Sequence, residues 1–63
     1  MFKYIVQNIN DTTKYLNYSN KTGYYWSCDA NTAVRFNTKE EAIKETTCYY
    51  DEFIIVEIFE KKN

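Results

Sequence analysis

The chain has 63 residues, 44% hydrophobic and 19% aromatic, with a formal net charge of −1. A chain this short makes one domain, 1–63, which buries only about 60% of the surface its unfolded form exposes. Its dense apolar content excludes disorder. Near-neutral charge, with Arg35 the only arginine, excludes a duplex-DNA reader, which carries a basic patch, and an acidic DNA mimic, which needs a strong negative field.

Phe2–Ile9, FKYIVQNI, is rich in β-branched and aromatic residues and predicts a first strand. Asn10–Lys14 is a polar turn, and Tyr15–Ser19 a short alternating strand. Asn20–Gly23 is the next turn, its glycine free to take positive φ. Tyr24–Cys28 predicts a third strand, and the short connections make the three an antiparallel meander. Asp29 is a capping residue, and one helical turn after it would point Ala33 and Phe36 the same way.

Thr38–Thr47 is the clearest helix. Thr38 caps it, and Glu41 three residues later completes a capping box. Its apolar side is Ala42, Ile43 and Thr46, too little to stand alone, so it must lie on the sheet. Phe53–Glu60, FIIVEIFE, is the last strand. Its near-continuous apolar run predicts a strand contacted on both faces, hence central or covered by a partner. Lys61–Asn63 reads as a solvated tail.

The fold class that follows is α+β: a four-stranded, mainly antiparallel sheet with one short helix packed on one face, in the order β-β-β-α-β. We expect the spatial order 3-2-1-4, with strand four free to run parallel to strand one through the helical crossover. Alternation assigns Tyr4, Val6, Leu16, Tyr18, Tyr24, Trp26, Ile54, Val56 and Ile58 to the helix side. The opposite face receives Lys3, Ile5, Gln7, Tyr15, Asn17, Tyr25, Ser27, Phe53, Ile55, Glu57 and Phe59.

Catalytic constellations are nearly absent. There is no histidine, the commonest general base. Neither Cys28 nor Cys48 lies in a metal-ligand spacing, and no glycine-rich phosphate loop is present. We expect no enzyme, no metal and no cofactor. No apolar run approaches the roughly 20 residues that span a bilayer, so no membrane partner is expected. No leader precedes the first strand, which points to a cytoplasmic protein with two reduced thiols. Asp51 and Glu52 read as a solvated turn.

The stretch from Tyr24 to Ala42, YYWSCDANTAVRFNTKEEA, resembles small proteins of bacteriophages and prophages. Their pattern runs from strands through a Trp-Ser/Thr-Asp-like step to Ala-x-x-Phe-x-Thr-x-Glu-Glu-Ala and a closing strand. Trp26, Asp29, Ala33, Phe36, Thr38, Glu41 and Ala42 stand at matching places, and KYIVQN and KYLNYS fit the same style. The resemblance implies a compact meander-plus-helix scaffold and a setting of host takeover or defence inhibition.

The function expected is a non-enzymatic binding module that docks on a host protein through an uncovered sheet face. Tyr15 and Tyr25 would anchor it, because aromatics dominate interface hot spots, with Ile5 and Ile55 as the apolar floor. A binder of single-stranded nucleic acid or nucleotide, stacking bases on the same aromatics, is a second reading. A self-associating structural protein, such as a homodimer, is a third.

Overall fold

The computed structural model describes residues 1–61; Lys62 and Asn63, in the predicted tail, lie outside them. Five regular elements and one short turn build it. Strand β1 spans Phe2–Gln7, β2 Tyr15–Ser19, β3 Gly23–Ser27 and β4 Ile54–Phe59, with helix α1 at Lys39–Thr47 and a 3-10 turn at Ala30–Thr32. The sheet order is β3-β2-β1-β4, as the sequence predicts. Gly23 takes a φ of 77° at the start of β3, a conformation that favours glycine.

Every pairing is antiparallel, including β1 with β4. The parallel strand four is therefore corrected, and the cause is an extra extended stretch. Strands β1 and β2 pair only at Gln7 and Tyr15, then splay apart. The segment from Ala33 to Phe36 fills the fork. The Val34 N–H donates to the Leu16 carbonyl at 3.0 Å, and Tyr4 and Phe36 exchange both backbone bonds at 3.0 and 2.8 Å. That bridge is antiparallel to β1, so the chain reverses direction once more before the helix. The helix then carries it back, and β4 descends beside β1 against β1's direction.

This wedge also corrects the helical reading of Ala33 and Phe36. An extended backbone sends residues three apart to opposite faces. Phe36 joins Val6, Leu16 and Ala42 in the main core, with Val34 packed beside it, while Ala33 is buried outside that cluster.

The helix begins as its sequence dictates. The Thr38 hydroxyl accepts from the Glu41 N–H at 3.1 Å, and Glu40 and Glu41 lie in the first turn, where acids suit the helix dipole. Ala42 and Thr46 are buried, but Ile43 is exposed, so the apolar side is narrower than expected. Asp29 caps the 3-10 turn, accepting from the Asn31 N–H at 2.9 Å.

Strand β4 is set one residue away from the expected facing. Val6 stands opposite Ile55 and Tyr4 opposite Glu57. Phe53, Ile55, Glu57 and Phe59 therefore belong to the helix side, and Ile54, Val56 and Ile58 to the other. Phe53 and Ile55 pack on the main core. The facings of β1, β2 and β3 are as predicted. β4 is also an outer strand of the sheet, not a central one.

Candidate functional site

The four residues expected to form a binding surface do not share one. Tyr15 and Tyr25 do lie together on the face opposite the helix. β2 and β3 pair Tyr15 with Ser27 and Asn17 with Tyr25, which makes the two tyrosines diagonal neighbours within reach of one ligand. Tyr25 is 41% exposed, and Tyr15 is half-buried.

Ile5 points to the same face but is only 4% exposed. Two features remove it from the surface. The Thr32 hydroxyl donates to Asn17 Oδ1 at 2.5 Å, which pins the Ala30–Thr32 turn against the fully buried Asn17. Arg35, opposite Ile5 in the wedge, forms an ion pair with Glu60 at 2.7 Å. By alternation both project to this face, Arg35 opposite Ile5 and Glu60 opposite Met1, so the pair crosses β1 diagonally. Ile55 lies on the helix side and is no part of this surface.

The face is thus divided. The Tyr15–Tyr25 patch occupies the β2–β3 hairpin. Ile54, Val56 and Ile58, all half-buried, form an apolar row on the outer strand. Between them lie the turn and the Arg35 side chain. Arg35 Nη1 donates to the carbonyls of Ala33, Asn31 and Ala30 at 2.6, 3.2 and 3.3 Å.

On the helix side, where alternation placed Tyr18 and Tyr24, these two and Tyr49 form a row, with Tyr24 packed against the core. Tyr18 and Tyr24 meet edge-to-face at 5.2 Å, and Tyr24 meets Tyr49 at 5.1 Å. Tyr18 and Tyr49 are 55% and 61% exposed. Tyr49 lies just beyond the helix, where no strand alternation gives its facing. Burial, aided by the charge of Glu45, pushes the Tyr24 hydroxyl above its ordinary pKa. Trp26 packs on Tyr50 at 4.9 Å, and both back onto the core.

Two hollows accompany these side chains. An open cleft of about 430 Å³ has Asn8, Asn10, Trp26, Tyr50, Asp51 and Glu52 in its walls. Aromatic faces beside carboxylates suit a cationic side chain. A smaller one of about 280 Å³ lies among Tyr4, Lys39, Ile55 and Glu57. There the Tyr4 hydroxyl donates to Glu57 at 2.9 Å, and that bond to a carboxylate raises the Tyr4 pKa.

Among the described residues, no group of three His, Cys, Asp or Glu side chains could hold a metal ion. Cys28 and Cys48 are free, exposed thiols. No helix of the described residues is long and apolar enough to cross a membrane. No protein-family model, curated protein or solved structure matches the chain.

Proposed function

We propose that the protein is a non-enzymatic protein-binding module, a phage or mobile-element accessory protein of the cytoplasm that docks on a host protein. The observation that carries this reading is the Tyr15–Tyr25 pair. Two tyrosines stand diagonally on a hairpin held by five register pairs, with Tyr25 41% open to solvent. Aromatic anchors on a rigid element lose little entropy on binding. The resemblance to small phage proteins supplies the setting. The floor of the site is the hairpin itself, since Ile5 is covered and Ile55 faces the helix.

A single-stranded nucleic-acid binder has less support. Its stacking platform would be the same tyrosines. Its one arginine is not available to track phosphates, because Arg35 is held by Glu60 and three carbonyls, and the net charge of −1 gives no basic groove.

The test is affinity capture from bacterial lysate, with and without nuclease, comparing the native chain with the Tyr15→Ala/Tyr25→Ala double variant. One protein retained after nuclease by the native chain and lost by the variant is the expected result. Equal retention by both refutes the surface. Recovery that vanishes with nuclease replaces the reading with nucleic-acid binding.

A further inference from the structure

We propose that a second copy of this chain pairs with the open edge of β4, antiparallel and about a two-fold axis, to make a continuous eight-stranded sheet. This surface is separate from the Tyr15–Tyr25 patch and does not rest on it.

The backbone of β4 shows which groups are open. The Glu60 N–H donates to the Met1 carbonyl at 2.8 Å, and the Met1 amino group to the Glu60 carbonyl at 3.4 Å. Hydrogen-bonded pairs alternate along an antiparallel ladder. Ile58, Val56 and Ile54 therefore bond inward to β1. Ile55, Glu57 and Phe59 turn their N–H and C=O groups outward. Tyr4 confirms the phase independently. Its backbone is spent on Phe36, so the Tyr4–Glu57 pair cannot be bonded.

An open edge this apolar is a template for another strand, and proteins usually protect such edges with charge, proline or a bulge. β4, with the sequence IIVEIF, has only Glu57, and the Tyr4 hydroxyl holds that carboxylate against the helix side. The run also has the composition of a strand covered on both sides, although its place in the sheet is at the edge.

Register then selects the partner. Outward-facing residues must meet outward-facing residues, so only alternate registers are allowed. Two of these overlap the strands almost fully. One puts Glu57 directly opposite Glu57 of the other copy, a like-charge pair that destabilises. The other puts Ile55 opposite Glu57 and centres the axis on Val56. In that register Val56 meets its own counterpart, and Ile54 meets Ile58 twice. The row on the face away from the helix becomes a charge-free ladder of six aliphatic side chains. A strand of any other sequence would have to reproduce this complementarity, whereas a second copy supplies it by symmetry.

The ladder is short for a dimer interface, so association falls at the weak end of stable contacts. Light scattering across a concentration series should show a monomer passing to a dimer. Register is read by cross-linking in a Cys28→Ser/Cys48→Ser background. Val56→Cys should give a disulfide-linked dimer on mild oxidation, because non-bonded partners have Cα atoms about 4.5 Å apart, within disulfide range. Ile58→Cys alone should not, as its counterparts would lie about 14 Å apart. A synthetic chain N-methylated at the Glu57 nitrogen keeps every bond to β1 and should remain monomeric. The Tyr15→Ala/Tyr25→Ala variant should keep the dimer. A native chain that stays monomeric throughout, a Val56→Cys chain that does not cross-link, or an N-methylated chain that still dimerises overturns the proposal.

Discussion

The bond between Thr32 and Asn17 decides which part of the sheet face is open, and removing it should be costly. Asn17 is 1% exposed; its amide donates to the Tyr15 carbonyl at 3.1 Å and its oxygen accepts from Thr32 at 2.5 Å. Thr32→Val keeps the shape of the side chain and deletes the donor. Thr32 itself is exposed, so the change sacrifices no burial. What remains is a buried amide oxygen without its partner, a loss of about 1–3 kcal/mol. A domain of this size holds about 3–9 kcal/mol in total, at roughly 0.05–0.15 kcal/mol per residue. Each kcal/mol moves the melting temperature of so small a domain by about 4–8 °C, so Tm should fall by about 5–20 °C. The assay is thermal unfolding followed by circular dichroism, with a double-mutant cycle through Asn17→Ala. The cycle should show coupling of about 1 kcal/mol. An unchanged Tm for Thr32→Val, or additive single losses, would refute the idea that this bond clamps the turn.

Thr46 is fully buried in the helix, and its hydroxyl has no hydrogen-bond partner among the described residues. Thr46→Val keeps the β-branch and removes a desolvated hydroxyl, so the urea midpoint should rise, by about 1 kcal/mol in stability; a lowered midpoint would show that the hydroxyl is satisfied. Tyr4 and Tyr24 have pKa values raised in the fold, against about 10 for an unfolded tyrosine. The folded state therefore holds their protons more tightly. The stability they contribute is complete below the unfolded value and declines as pH rises through the folded ones. Urea midpoints should be flat on the neutral side and drop in the alkaline range, and a midpoint unchanged across that range would contradict the assignment.

The parts of the fold that were legible in the sequence are those where one polar–apolar pattern fits one geometry. The alternation in Tyr15–Ser19 set its facing, and the Thr38–Glu41 spacing set the helix start. The illegible parts have a physical cause in each case. In Phe53–Phe59 only Glu57 breaks the apolar run, and a pattern reader sends a lone carboxylate away from the helix. The structure keeps it on the helix side because Phe53 and Ile55, on the same side of the strand, pack on the core, and the Tyr4 hydroxyl meets the carboxylate there. That facing moves Ile55 out of the expected site and brings Val56 into the opposite row. In Ala33–Phe36 the spacing suited a helical turn, but the fork between β1 and β2 offered backbone partners that a local pattern does not contain. Of the four expected site residues, the two on the hairpin kept their facing because their register depends on a short turn. Of the two isoleucines, Ile5 keeps its face but is buried there, and Ile55 changes face with the register of β4.

The wedge links these findings. By reversing the chain once more, it makes β4 antiparallel to β1 and brings Arg35 alongside Glu60. The Ala30–Thr32 turn just before it, pinned on Asn17 by Thr32, and Arg35 within it split the face opposite the helix into two surfaces of different character. The hairpin surface offers tyrosines with polar hydroxyls, the mixed chemistry of a transient contact with another protein. The outer surface offers an aliphatic row beside an unbonded backbone edge, the chemistry of strand addition. A single uncovered sheet would have forced one partner to compete with the other. Divided as it is, the face would let a chain of 63 residues make the pairing proposed along β4 while the Tyr15–Tyr25 hairpin of each copy stays open, at the far edge of the sheet.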